Sequence, residues 1–568
     1  MKSTLVTLIG FAALLLTSCG ENKPTPRPTI AQEAKVINTF FETRKPYTTR
    51  RLDSADVLDF LDRNPQYRGD SAEIREFYKG RGLQYAWFVN DSLSTAADAM
   101  LNLLDPLAND TVADPWRNLL AEARADTTGN DSLRLHVELG LTAQFFLMAH
   151  KEYGGYVQGD LRELDWYIPR RKKNYTMLLD SLVAGRTDLS PIEPVHQQYQ
   201  GLKYRLQRYF EVEAEGHLDT FAFRKSAFAM GDSLPEYCEL RHRLFQLGDL
   251  WVDSIAYTMD STLFKAVVNF QERHGLEGTG KLDAELAAAL NVPITDRIRT
   301  ILLNMERLRW VNPLPPKDQL LVNIPEYRLH VFEDGKETWD MKVVVGAVAT
   351  HTVIFSGELS QIAFAPYWNV PKSIIRNEIA PAMRRNTNYL AKHRMEVVRG
   401  GEVVPTSSVD WKTWEGGGPF RVRQRPGADN SLGLVKFLFP NEFSIYLHDT
   451  PAKSRFIPEK RAFSHGCIRL SEPKKLADHL LRNDTTWTPE AIDKAMHADK
   501  EKVINLRPPM PVTIGYFTAW VDSKGRLNFR DDVYGHDARL AGELFAPETI
   551  PASGPAGTTD STRVAGLR

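Results

Sequence analysis

The segment "SHGCIRL", residues 464–470, sets a cysteine between a glycine and an isoleucine, in a chain of 568 residues that has only three cysteines. A histidine stands two positions before Cys467 and an arginine two positions after it. A thiol attacks as thiolate, and an unperturbed cysteine with a pKa of about 8.5 is mostly protonated at neutral pH, so a nucleophilic Cys467 needs a base. Two histidines qualify: His465, and His448 in "IYLHDTPAKSRFIPEKRAFSHGCIRL". In an extended segment residues two apart share a face, which would set His465 and Cys467 along one cleft. Gly466 lets the backbone approach a substrate and offers its N–H, with that of Cys467, to a developing oxyanion. His448 ends the strand-like run "FSIYLHD" and is the preferred base, because a base on a neighbouring strand reaches the sulfur without straining the loop that carries it. Two other readings stand beside the nucleophile: an inert buried thiol, and one corner of a zinc site with His448 and His465. The chain has no C-x-x-C pair to add to such a site.

Upstream of this segment the apolar residues alternate. Tyr327, Leu329 and Val331 interleave with Arg328 and His330, Asp334-Gly335 supplies a turn, and Trp339, Met341, Val343 and Val345 alternate back, the pattern of a β-hairpin. The runs "SQIAFAPYWNV" and "KFLFPNEFSIYLHD" extend it into a β-rich, sandwich-like domain over 319–515. Residues 371–420 interrupt that domain with two helix-like pieces and "WEGGGPF", which predicts an inserted helical lid. Before it, 297–318 read as a connecting helix, and 46–245 carry three-and-four apolar spacing, as in Leu135, Leu139, Thr142, Phe146 and Ala149, which predicts a helical scaffold. Residues 246–296 form a small unit: a helix through Phe264, Val267, Val268 and Gln271, a break at "HGLEGTGKL", and a second helix capped by Asp283. After the β-rich domain come an extension (516–550) and a polar tail (551–568) that reads as disordered. The fold class expected is multidomain α+β.

The N-terminal "MKSTLVTLIGFAALLLTSCG" pairs Lys2 with an apolar run too short to span a bilayer, which reads as a secretory signal over 1–19, with a proline-rich linker over 20–45. Its end, Leu16-Thr17-Ser18-Cys19, resembles a bacterial lipobox and implies lipidation of Cys19 and a membrane-tethered periplasmic protein. That leaves Cys238 and Cys467, which either pair or keep Cys467 free; Cys238 reads as a small buried hydrophobe. A net charge of -1 with 25% charged residues gives no basis for a nucleic-acid partner.

His448, fifteen residues, and then Ser464-His465-Gly466-Cys467-Ile468-Arg469 resembles the active-site signature of the L,D-transpeptidases, enzymes that remodel peptidoglycan. The resemblance continues through "RQRPGADNSLGLVKFLFPN" and "YFTAWVDSKGRLNFRDDVYGHD" to the large, lid-bearing subgroup. Thr352-Val353 stands where relatives often have Thr-Pro, a departure expected to change a loop and not the chemistry. Phe270, Gln271, Gly275, Leu276, Thr279, Gly280, Leu282 and Asp283 resemble the signature of a three-helix peptidoglycan-binding domain. The resemblance implies that Cys467 attacks the diaminopimelate–D-Ala bond of a tetrapeptide donor stem, and that the acyl group passes to the amine of an acceptor stem as a 3-3 cross-link. It implies His448 as base, the Asp449 carbonyl as the group that sets its tautomer, and Gly466, Cys467 and Tyr446 as oxyanion donors. Arg469, Ser464, Trp368 and Asn369 would bind the donor. No metal or organic cofactor is implied, and carbapenems would acylate the same sulfur. Competing readings are an L,D-carboxypeptidase or cysteine peptidase acting on wall peptides, and a non-catalytic tethering lipoprotein.

Overall fold

The described residues fall into two compact units, one running up to Arg63 and resuming over Arg75–Leu141, the other comprising Asn64–Ile74 and the residues from Thr142 onward. The computed structural model describes residues 48–545 apart from 49, 90, 105–112, 158, 187, 217–219, 224–228 and 415, so Cys19, the 20–45 linker and the 551–568 tail lie outside the described residues. Among the described residues no helix is long and apolar enough to cross a membrane.

In the first unit, the hairpin β1 (Phe88–Val89) and β2 (Ser92–Leu93) packs with helices. At its centre the buried Glu138 carboxylate accepts hydrogen bonds from Ala86 N, Trp87 N and Tyr78 Oη at 2.5, 3.0 and 2.8 Å, and burial pushes its pKa up to about 7. The region expected as a scaffold over 46–245 is predominantly helical, and the boundary between the two units falls within it. The boundary falls inside the helix Asp131–Gly154, which is not striped as expected: residues 137–146 are buried on every side, while Leu135 is half-buried.

The second unit opens the 246–296 region with the helix Ser261–Arg273, capped by Asp260, and continues with Ala284–Leu290, capped by Asp283. The signature residues build this module. Phe270 and Leu282 are buried, and the Gln271 side chain accepts from Gly280 N (2.7 Å) and donates to Lys281 O (3.0 Å), pinning the turn between the helices. The connecting helix runs Ile294–Trp310.

A nine-stranded sheet follows. It comprises β3 (Gln319–Asn323), β4 (Arg328–Glu333), β5 (Lys336–Gly346), β6 (Phe355–Phe364), β11 (Val435–Leu438), β12 (Leu447–His448), β13 (Ala462–Ser464), β14 (Ile468–Leu470) and β15 (Lys502–Gly515). The order is β13-β5-β14-β12-β11-β6-β15-β3-β4, and β4 also pairs with β5, so the sheet closes on itself with β13 outside the ring. Val322, Leu329, Val343, Ile362, Phe437, Leu447, Ile468 and Ile514 fill its interior.

Between β6 and β11 lies the insert, which is not the helical lid expected. It carries a four-stranded sheet, β7 (Trp368–Asn369), β8 (Met395–Arg399), β9 (Glu402–Val404) and β10 (Phe420–Gln424), beside short helices that include a π-helical turn, Ile375–Ile379. Val370, Ile375, Ile379, Met383, Leu390, Val397, Val409 and Val422 form its own core, so the insert spans 368–424. The overlooked cue is "MEVVRGGEVV", two β-branched runs across a Gly-Gly turn. The extension is also folded, as the ribbon β16 (Ala519–Val521) and β17 (Leu527–Phe529) and the helix His536–Leu544.

A separate core makes the insert separately destabilisable. Leu390→Ala removes a fully buried side chain and is expected to cost the insert about 3 kcal/mol. Hydrogen exchange should accelerate across 395–424 and leave β6 and β15 protected; equal loss in both would refute an independent core.

Candidate active site

The strands β12 and β14 run parallel and in register, Leu447 against Ile468 and His448 against Arg469. Paired residues on neighbouring strands share a face, and successive residues alternate faces. Leu447, Ile468 and Leu470 therefore point into the core, all fully buried, while His448 and Arg469 point to the other face. Tyr446 and Cys467 stand immediately before the two strands, where Ile468 N donates to Tyr446 O (3.2 Å) and the Tyr446 hydroxyl hydrogen-bonds to the Cys467 thiol. The Tyr446 and His448 rings lie 5.7 Å apart between centroids. Register alone thus assembles a phenol, an imidazole, a thiol and a guanidinium from two short strands.

His448 is buried, and its Nδ1 lies 2.5 Å from Asp449 O. A carbonyl only accepts, so Nδ1 carries the proton and Nε2 keeps its lone pair. Burial, reinforced by the Arg469 charge, lowers the imidazole to about 4. Burial likewise pushes the Cys467 thiol up, against the opposing pull of the Tyr446 N–H and hydroxyl and of Arg469. The resting pair at neutral pH is accordingly thiol and neutral imidazole. Cys467 and Cys238 are both free thiols and both half-buried, where Cys238 was expected to be buried; Cys467 Sγ lies 3.7 Å from Ser444 O. Burial and the adjacent Cys467 hold the Tyr446 phenol well above its ordinary range, so it stays protonated and donates.

The loop that carries the thiol is braced from several sides. Ser464 is buried, and its hydroxyl donates to Cys467 O (2.6 Å) and accepts from Gly466 N (3.1 Å). Two expectations change here. The Gly466 N–H is committed inside the loop and is not a free oxyanion donor, and Ser464 shapes the loop instead of meeting substrate. Cys467 N–H donates to no protein group among the described residues and remains as the backbone donor. Gly466 has φ +111°, a conformation that L side chains rarely adopt. Its carbonyl accepts from the buried Thr352 hydroxyl (2.7 Å), which itself accepts from Gly346 N (2.9 Å). Thr352, read from sequence as part of a loop variation, is thus a strut beneath the thiol. Nothing in the local sequence signals this, since its partners at 346 and 466 meet only in the folded sheet.

The other candidates separate. The strand β13 ends at Ser464, so the alternation expected to align His465 with Cys467 breaks; His465 is exposed, with Nε2 3.9 Å from Glu378 Oε1 of the insert. The Asp449 carboxylate is held by Leu434 N (2.9 Å) and Lys453 Nζ (2.7 Å), leaving its carbonyl for His448. Arg469 is half-buried and pairs with no carboxylate among the described residues, its Nε buried without a partner. Trp368 is half-buried and packs against the core of the insert, and Asn369 is exposed on the same strand. His448, His465 and Cys467 do not converge as ligands. Among the described residues the one group of such side chains within 4.8 Å is His330, Glu337 and Asp340. There Glu337 and Glu326 take both imidazole nitrogens at 2.7 and 2.8 Å and outweigh burial to raise His330 to about 10, so that cluster is an ion pair holding β4 to β5.

A thiol and an imidazole of fixed tautomer thus stand on neighbouring strands, beside an arginine that pairs with no carboxylate among the described residues. Residues 317–514 match the family model of the L,D-transpeptidase catalytic domain, 72–206 that of a scaffold domain, and 233–290 that of a "Putative peptidoglycan binding domain". A curated Haemophilus influenzae protein named "Putative L,D-transpeptidase" is 33% identical over 239 residues, covering 42% of this chain and 48% of that protein. The chain thus spans about half the length of this relative. Solved structures of an L,D-transpeptidase from Stackebrandtia nassauensis (13% identity, 52% of this chain, 98% of that one, TM-score 0.21) and of L,D-transpeptidase 3 from Mycobacterium tuberculosis (14%, 35%, 61%, 0.17) are also similar, at scores that carry no argument. Residues 317–514 of this chain are thus similar to the L,D-transpeptidase catalytic domain.

A neutral resting pair has a direct signature. Alkylation of Cys467 by iodoacetamide should keep accelerating as pH rises past the ordinary thiol range of about 8.5. A plateau from pH 5 to 8 would indicate a preformed thiolate–imidazolium pair and overturn the assignment. Tyr446→Phe, which removes a donor to the thiolate, should move the curve to higher pH.

Proposed function

We propose that this protein is a peptidoglycan L,D-transpeptidase with Cys467 as nucleophile and His448 as base. The observation that carries the reading is the Nδ1 contact of His448 with Asp449 O, which leaves Nε2 free as acceptor on the strand face that Cys467 shares. Because both groups rest neutral, His448 acts as a general base during attack, and no stored thiolate is needed. Sγ bonds to the carbonyl carbon of a diaminopimelate–D-Ala peptide as its proton passes to Nε2. The C–N bond then breaks, the proton returns to the departing D-Ala amine, and a thioester remains. The side-chain amine of a second stem attacks that thioester, gives a proton to His448, and breaks the C–S bond, forming a 3-3 cross-link and restoring the thiol.

The developing oxyanion is met by Cys467 N–H and the Tyr446 hydroxyl, and loss of one such donor costs about 3 kcal/mol. The unpaired Arg469 guanidinium suits a stem carboxylate. The 246–296 module would hold the enzyme on glycan, and lipidated Cys19 would tether it on the periplasmic side of a membrane. Carbapenems would acylate the same sulfur.

The purified protein, incubated with disaccharide-tetrapeptide, should release D-Ala and yield a cross-linked dimer by mass spectrometry. Cys467→Ala should abolish both products with wall binding intact, and His448→Ala should slow them by about a thousandfold. Arg469→Gln should raise KM by about tenfold with kcat little changed, the loss of one charge-assisted contact. Tripeptide without dimer would make the protein a hydrolase. Wall binding with no product from the wild type would make it a tether.

A further inference from the structure

The peptide between Gly466 and Cys467 is planar and trans, so whatever holds the Gly466 carbonyl also aims the Cys467 N–H in the opposite direction. The holder is Thr352, fully buried, whose hydroxyl joins Gly466 O to Gly346 N. Thr352 can do this only where the 350–352 backbone presses on Gly346. A Cβ built on Gly346 would lie 2.1 Å from Thr350 O and 2.8 Å from Thr352 N, so the approach requires glycine. A third group closes the arrangement. Tyr534 Oη donates to Gly346 O (2.6 Å) and accepts from Thr352 N (3.4 Å), bridging the two backbones that the strut joins. Burial pushes this phenol up to about 12, so it stays a donor throughout the neutral range.

Tyr534 does not come from the matched catalytic domain, which ends at 514, but from the extension. The extension is itself anchored. Tyr516 Oη donates to Asp532 (2.6 Å) and accepts from Tyr534 N (2.9 Å), the other Asp532 oxygen accepts from Asp537 N and Ala538 N, and Asp537 pairs with Arg307 at 2.6 Å. We propose that Tyr534 is a positioning residue: acting through Gly346 and Thr352, it fixes the Gly466–Cys467 peptide plane and thereby aims the one backbone N–H left to meet the oxyanion. The extension is then part of the catalytic apparatus without touching substrate. This rests on Cys467 forming an acyl-enzyme, as proposed above, but not on which acyl donor is natural.

Two reactions of one sulfur separate aim from reactivity. With p-nitrophenyl acetate, Sγ bonds to the carbonyl carbon, an oxyanion forms, and p-nitrophenolate leaves as the C–O bond breaks. With iodoacetamide, Sγ displaces iodide from a CH2 and no oxyanion develops. In the full-length protein, Tyr534→Phe and Thr352→Val should lower the ratio of acylation to alkylation rate by about tenfold, part of the hundredfold or more that outright loss of an oxyanion donor costs. Thr352→Ser, which keeps the hydroxyl, should restore the ratio, with both rates read at Cys467 by peptide mass spectrometry in a Cys238→Ser background and each variant shown folded by circular dichroism. Parallel falls in both rates, or no change in either, would overturn the proposal, as would a wild type that alkylates but does not acylate. A wild type that acylates, responds to Tyr534→Phe as expected and yet makes no peptidoglycan dimer would leave this inference standing and remove the transpeptidase reading.

Discussion

The parallel register of two very short strands governs everything this catalytic domain offers chemically. Leu447–His448 and Ile468–Arg469 pair with no offset, and a slip of one residue would send His448 into the core and bring Leu447 out. What prevents the slip is burial: Leu447, Ile468 and Leu470 are fully enclosed among residues of the closed sheet. The functional face is polar because its opposite face is not. The same pairing brings Arg469 to His448 and Tyr446 to Cys467, so the electrostatics of the site follow from the register without further devices.

Those electrostatics favour neutral groups. Burial opposes charge on both His448 and Cys467, and the nearby guanidinium opposes imidazolium while favouring thiolate. On the proposed mechanism, a base that rests neutral is ready to accept a proton at the moment of attack, and a thiol that rests protonated is shielded from adventitious oxidation. The fixed Nδ1 tautomer gives this arrangement its direction, because only Nε2 remains to receive the proton.

Around that face the architecture is modular but interlocked. The insert has its own core and its own sheet, and reaches the nucleophile loop through Glu378 and His465. From the far end of the chain the extension supplies Tyr534 against Gly346 and Thr352. The thiol loop is thus held from within by Ser464, from below by Thr352, and indirectly by a segment some seventy residues downstream.

Much of this was legible in the linear sequence because it rests on short-range physics. Alternation from Tyr327 to Val345 marks the hairpin, since strand side chains alternate faces whatever they pack against. Asp260 and Asp283 mark helix starts because capping needs only neighbouring N–H groups. The spacing of His448 and Cys467 was legible in the sequence, and the parallel pairing of Leu447–His448 with Ile468–Arg469 is what brings their strands side by side. What the sequence could not decide were matters of long-range hydrogen bonding and enclosure. Ser464 and the Gly466 N–H looked available and are bound to each other, and His465 looked aligned and turns away. The partners of Thr352 and Tyr534 could not be read either, because a hydroxyl acquires its role from whichever carbonyls and N–H groups the closed sheet delivers to it, and those come from positions 346, 352 and 466.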